Sequence, residues 1–408
     1  MKSEETMLAI CIPTWNRARY LDNLLKNLVE DLKDFPHSYE IIISDNASTD
    51  NTKEVVESWS DALPIRFYRQ KENIGMFGNP RFIIENSHSK YSMILADDDL
   101  IDVEGLKLAI DTLIGEPEAV ILYAPWTLYD LLHDKVLTNF YTMKNDAVIA
   151  QRNFIHLISL ILQNHIFAEI CIVHSETYRN LMPRENGLSY WSFTIPAEYL
   201  NVGKVIFSKT PFYKSVTNYF PDHQRQQCGH LAAEDAWDSY RGGLEHLLGL
   251  ARPGLTEENI VMLQAEIGKF VLNRMLVSLR LRINASQDPI ENYYLASRIR
   301  GLGASAHLPQ PFELIKSHAA LWFVTHDESL LEGMEQIILV GDYEAAIADY
   351  LGTITDFKIS RFAEFPDNVR NAIVILKGGT DQYDYDPSSE KERNNKIVIE
   401  THLMNKFL

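Results

Sequence analysis

The chain has 408 residues, 46% of them hydrophobic, and a formal net charge of −18 at pH 7. Such a length buries more than one core, while the acidic balance excludes an unspecific grip on nucleic acid or anionic lipid, which needs a cationic excess. Three cysteines, Cys11, Cys171 and Cys228, are too few and too scattered for a disulfide framework, so a reducing, cytoplasmic setting is expected.

The N-terminus, "MKSEETMLAICIP", carries acids where an export signal has bases, and export is not expected. "MLAICI" and "YEIIIS" read as strands buried on both faces. Between them Tyr20, Leu21, Leu24, Leu25, Leu28 and Leu32 recur at helical spacing, which makes a strand–helix–strand unit. "NTKEVVESW" then reads as a short helix capped by Asp50 or Asn51, "IRFYR" as a strand, 79–87 as a helix and "YSMIL" as a strand. This alternation predicts a mainly parallel sheet covered by helices, with ligands beyond the carboxyl ends of its strands. Three polar clusters fall at those ends: "PTWNR", "SDNASTDNT" and "DDD".

From 118 to 213 the same domain continues, with strands in "AVILYAP" and "GKVIFSKTPF" and a helix over 187–202. The apolar window 154–173 is interrupted by Gln163, Asn164, His165 and Glu169 and fails as a membrane span. Residues 214–230 are polar and aperiodic and read as a loop or linker. Helical periodicity dominates 231–334, with long runs over 256–283 and 290–302. The tail returns to strands: "MEQIILVGDYEAAIADYL" has strand, turn and helix in order, but its "VGD" turn lacks a GxGxxG fingerprint. "NAIVILKGG" and "NKIVIE" are further strands, and 381–395 is biased enough in composition to predict disorder. The expected organisation is an α/β domain over 1–220, a helical domain over 231–334 and a small α/β appendage over 335–408.

Asp97, Asp98 and Asp99 stand together behind a buried strand, where each charge raises the cost of its neighbours. Hard divalent cations prefer carboxylate oxygens, and Asp97 and Asp99 can converge on one ion when the chain turns. The alternative is an acidic turn with Asp102 as N-cap of the next helix. The position of the triplet, at the rim where two other polar loops gather, favours the ion.

"ICIPTWNRARYLDNLL", "YEIIISDNASTDNT", "KENIGMFGNPR" and "MILADDDLI" together resemble four successive blocks of the family 2 glycosyltransferases. The resemblance covers residues 7–120 well and extends loosely to 213. It implies the GT-A fold, a Rossmann-like α/β domain, and transfer of a sugar from a nucleotide diphosphate donor, UDP foremost, to a glycan or lipid-linked acceptor. It places the nucleotide against Pro13, Thr14, Trp15, Asn16 and Arg17, with Trp15 stacking on the base; the alternative for Trp15 is a lid over the core. Asp45 matches the carboxylate that reads the base edge, or else caps a turn. Asn73 and Gly75 belong to the block that wraps the nucleotide, and Arg17 and Arg81 suit the diphosphate. "GNPRF" departs from the usual Ala-Arg-Asn arrangement around Arg81. Within the triplet the resemblance implies Asp99 on Mn²⁺ or Mg²⁺, Asp97 on the metal or the donor's ribose, and Asp98 beside the donor.

Inverting members of the family carry an acidic residue at the start of a helix about a dozen residues before the domain's last strand. Here that place holds Trp191 and Ser192. Glu198 and Asp235 are the substitutes considered for the acceptor's base, with Glu185 a nearer loop residue, and His223 is a candidate to complete the metal shell. Arg274, Arg280 and Arg282 face an anionic lipid-linked acceptor or snorkel from a packed helix. Any self-association is allotted to the helical region, and any membrane contact is peripheral, at the inner face. The rival readings are a nucleotidyltransferase, disfavoured because "PTWNRARY" has no glycine, and a non-catalytic nucleotide-sugar scaffold, encouraged by the missing acidic pair.

Overall fold

β1 (Leu8–Thr14) carries the most continuous apolar run of the N-terminal part and is buried almost throughout, as a central strand must be. The computed structural model describes residues 6–181, 186–222 and 233–406, apart from the side chain of Ala346. Two compact units share the chain: Met1–His230 with Asp238–Val271, and Leu231–Trp237 with Leu272–Leu408.

In the first unit β1 pairs in parallel with β2 (Tyr39–Asp45) on one side and β4 (Tyr91–Ile94) on the other, and β3 (Ile65–Arg69) extends the sheet beside β2. α1 (Ala18–Asp31), α2 (Thr52–Trp59) and α3 (Gly75–Glu85) connect these strands. α1 turns Tyr20, Leu21, Leu24, Leu25 and Leu28 into the core, the stripe read from the sequence; each such leucine contributes about 1.5–3 kcal/mol on burial. After β4 come β5 (Leu100–Ile101), α4 (Val103–Gly115), β6 (Ala119–Tyr123), β7 (Thr127–Asp130), β8 (Lys135–Asn139), β9 (Ala147–Ile149), α5 (Phe154–Asn164), β10 (Cys171–His174), α6 (Ser175–Leu181), α7 (Trp191–Val202), β11 (Lys204–Phe207) and β12 (Tyr213–Asn218). The large sheet runs β3-β2-β1-β4-β10-β6-β11-β9. It is the mostly parallel α/β sheet that the sequence predicts, with β10 inserted antiparallel between β4 and β6.

Three expectations are corrected. Residues 214–218 are not loop but most of β12, which joins a second sheet in the order β5-β12-β7-β8; its polar residues hid it because pairing, rather than an apolar run, holds it. α3 starts at Gly75 and not at 79, because side-chain oxygens of Asn46 and Asn73 take the N–H groups of Ile74 and Gly75. Residues 381–395 hold a helix, Pro387–Glu392, where Asp386 caps the N–H groups of Ser388 and Ser389. Its buried Glu390 accepts from Arg393 at 2.9 Å.

The second unit contains the end of helix Glu257–Asn284, helices Pro289–Gly301 and Phe312–His326, and a small sheet. That sheet is wholly parallel, in the order β14 (Lys358–Phe362), β13 (Gln336–Val340), β15 (Ala372–Leu376), β16 (Lys396–Ile399). Arg282 turns inward there: its Nε donates to Asn292 at 3.1 Å and it pairs with Glu291. Among the described residues no helix is long and apolar enough to cross a membrane.

Candidate active site

The register of the parallel strands sets Thr14 against Asp45 and Asp45 against Arg69, so the ends of β1, β2 and β3 share one rim. β4 ends beside them, since Leu95 N donates to Cys11 O, and the triplet follows at once.

Arg17 reaches this triplet from the turn after β1. Its Nη1 lies 2.9 Å from Asp97 Oδ1 and 3.5 Å from Asp98 Oδ2. Asp97 is 2% exposed and Asp98 7%, so the two carboxylates need a cation nearby to stay charged in a poorly solvated place. Tyr219 Oη also donates to Asp98 Oδ2, at 3.3 Å. Asp99 is differently placed. Its Oδ2 accepts from Tyr213 Oη at 2.7 Å and its Oδ1 from the Val216 N–H at 2.8 Å. Desolvation, the largest influence, pushes its carboxyl up to about 6 against the pull of those two bonds. The oxygens of Asp99 thus serve the fold, while Asp97 and Asp98 stand with Arg17. Asp102 caps α4, accepting from the Gly105 N–H.

The other predicted residues of β1 and β2 gather at the same rim. Asn16 adopts a left-handed backbone, φ 53°, tolerated by asparagine. It locks the two loops together, its N–H donating to Ser48 Oγ and its Oδ1 accepting from the Thr49 N–H. Thr14 is buried, its Oγ1 without a hydrogen-bond partner among the described residues. Trp15, beside it, is 51% exposed; an indole left half in water beside a charged rim offers an apolar face to a flat ring. Pro13 lies one step back in β1, opposite Ser44. Asp45 is fully buried: Oδ1 takes the Ser48 N–H at 2.8 Å, and Oδ2 lies 3.3 Å from Arg69 Nε. Asn73 lies in the adjacent loop and Gly75 opens α3 from it; Asn46 Nδ2 donates to Asn73 Oδ1 at 2.8 Å. Gly75 has φ +85° and open space around it.

Arg81 does not join Arg17. It lies on α3, paired with Glu85 one turn on at 2.7 Å. Glu198 is half-buried on α7, its carboxyl pushed up by burial. α7 leads into β11, which is parallel to β6, so its first residues face the rim end of the sheet; Glu198 sits about 10 Å further along the helix. Asp235 belongs to the second unit. His223 and Glu185 lie outside the described residues.

Sequence reasoning missed Asn46, Arg69, Tyr213 and Tyr219. Arg69 was findable, as the last residue of a strand beside "SDN". The tyrosines gave no signal, because their segment lacks the pattern of a strand.

Residues 9–167 match the family model "Glycosyl transferase family 2". The abequosyltransferase RfbV of Salmonella typhimurium is 35% identical over 104 residues, 25% of this chain and 31% of that protein. The poly(ribitol-phosphate) β-N-acetylglucosaminyltransferase TarS of Staphylococcus aureus is 30% identical over 101 residues, 24% of this chain and 17% of that protein. The alignments thus span a third or less of these relatives. Among solved structures, S. aureus TarS 1–349 in complex with UDP superposes with a TM-score of 0.46 at 17% identity, over 71% of this chain and 86% of that one. By the family match, residues 9–167 of the chain belong to glycosyl transferase family 2.

Proposed function

We propose that the chain is a glycosyltransferase moving a sugar from a nucleotide diphosphate donor, UDP-linked foremost, to a hydroxyl of a glycan or lipid-linked glycoconjugate, in surface polysaccharide assembly. The observation that carries this reading is the gathering of residues from three family blocks, Arg17, Asp45 and Asp97, at the rim of one sheet. In this reading Trp15 stacks on the base, Asp45 reads its edge, and Asn73 and Gly75 border it, with Pro13, Thr14 and Asn16 shaping the wall. Arg17 takes the diphosphate, trading carboxylate partners for phosphate oxygens.

The donor set also suits a divalent ion. Among the described residues no cluster of three or more acidic, histidine or cysteine groups forms a metal cage. Mg²⁺ or Mn²⁺, however, is commonly held by one or two carboxylates plus substrate phosphates. Asp97 and Asp98 are those carboxylates here, in place of the Asp99 that the sequence favoured. A bound ion would offset charge on the departing diphosphate. The resemblance to family 2, whose members generally invert, supports inversion at the anomeric centre, which takes one base and no covalent sugar intermediate. The first unit is the catalytic domain, working in the cytoplasm or at the inner face of a membrane.

Titration calorimetry with UDP tests this: Mn²⁺ tightens binding to the wild type and leaves Asp97→Asn unaffected. Equal UDP binding by both proteins with and without Mn²⁺ would sink the metal site. Binding of no nucleoside diphosphate at all would sink the transferase.

A further inference from the structure

α7 opens with Tyr190, Trp191 and Ser192, and no carboxylate stands where the acceptor's proton should be taken. Resting on the transferase reading above, we propose that Glu169 is the base, and that the apolar hollow it borders is the bed of the acceptor.

The register places it. β10 runs antiparallel between β4 and β6, so the segment that enters β10 starts at the rim where those two strands end. Ile172 faces Met93, and the same register carried outward sets Glu169 level with Ala96, one residue before Asp97. The Ala124 N–H donates to Ile170 O at 3.1 Å and fixes this entry. Tyr190, the N-cap residue of α7, donates its hydroxyl to Glu169 Oε1 at 2.9 Å. The tyrosine therefore draws a carboxylate from another loop to the helix start that lacks one of its own.

Glu169 lines a hollow of about 640 Å³ between α3, α7 and the sheet, a size suited to small-molecule sites. It is the one carboxylate among the described lining residues, while Trp191, Tyr123, Tyr199 and Phe77 supply broad apolar walls. Met76 and Phe77 are 72% and 55% exposed on the first turn of α3, an unusual show of apolar surface. Aromatic walls with a single acid match an acceptor whose sugar ring presents C–H faces and one reacting hydroxyl, carried on an apolar group.

In the step, the acceptor oxygen forms its bond to the anomeric carbon as its proton passes to the Glu169 carboxylate. The bond from that carbon to the diphosphate breaks, and its electron pair leaves with the nucleotide. Glu169 then returns the proton to water.

The test uses the full chain with Mn²⁺, a panel of UDP-, GDP- and dTDP-sugars, and octyl β-D-glucopyranoside as probe acceptor, with nucleotide release as readout. Glu169→Gln is expected to lower turnover about 100-fold or more, the usual share of a general base, with donor KM and nucleotide affinity unchanged. Glu169→Asp recovers part of the loss, and Tyr190→Phe shifts the acid limb of the pH–rate profile. Turnover of Glu169→Gln within threefold of the wild type overturns the proposal while leaving the transferase reading intact. A wild type that binds and turns over no donor overturns that reading, and this base with it. Retained nucleotide binding by Glu169→Gln separates lost chemistry from lost folding.

Discussion

Two sheets in this chain, one mostly and one wholly parallel, carry strand, turn and helix in order, yet their rims differ. In the first unit the turns after β1 and β4 leave charged groups facing one another, with Arg17 between Asp97 and Asp98. In the second unit the turn after β13, Val340-Gly341-Asp342, is filled. Tyr383 places its hydroxyl against Gly341, donating to Lys377 O at 2.6 Å and Val340 O at 3.2 Å, and the Lys377 ammonium caps Asp342 O. A Cβ built on Gly341 would collide with that hydroxyl, and the φ there is +111°. A phenol occupies the place where a nucleotide fold leaves room for a phosphate. Topology makes a rim; side chains decide whether it is a site.

The contrast can be broken at either end. The largest effect is expected from Asp97→Asn: a fall in sugar transfer of about 100-fold or more, by loss of electrostatic help to the leaving group, with thermal unfolding little changed. Activity within a few-fold of wild type would show the first rim to be as inert as the second. Next comes acid. Burial pushes the His318 imidazole down to about 4 from 6.5, and its Nε2 has no hydrogen-bond partner among the described residues. The unfolded chain binds that proton first, so stability drops as pH falls from 6.5 towards 4, by up to about 3 kcal/mol. Urea midpoints at pH 7 and 4.5 read this, and His318→Phe, which keeps a ring against Tyr350, removes the dependence. Gly341→Ala should destabilise the second unit by ~2 kcal/mol through its backbone and Tyr383, while calorimetry finds UDP binding intact. Smallest is Asp102→Ala, about 1 kcal/mol off the first unit through the lost cap of α4, seen as a modest shift in melting.

Much of the first rim was legible because its residues obey short-range rules. Central strands read as apolar runs, turns as polar clusters at their ends, and Asp102 as a cap. What escaped depended on partners distant in sequence. Nothing local reveals that Tyr213 and Val216 donate to the oxygens of Asp99. Arg81 is a different case, since its partner Glu85 stands one turn along the same helix. β12 stayed hidden because its alternation is polar.

The brace on Asp99 has a consequence for the order in which the molecule is made. All four motif blocks, and the whole family-matched stretch to residue 167, leave the ribosome before Tyr213 is synthesised. Until that hydroxyl and the Val216 amide arrive, the nascent triplet has three adjacent acids and only water to hold the last of them. A fragment cut where the similarity stops would therefore carry every signature and still lack the clamp that sets the angle of its acids.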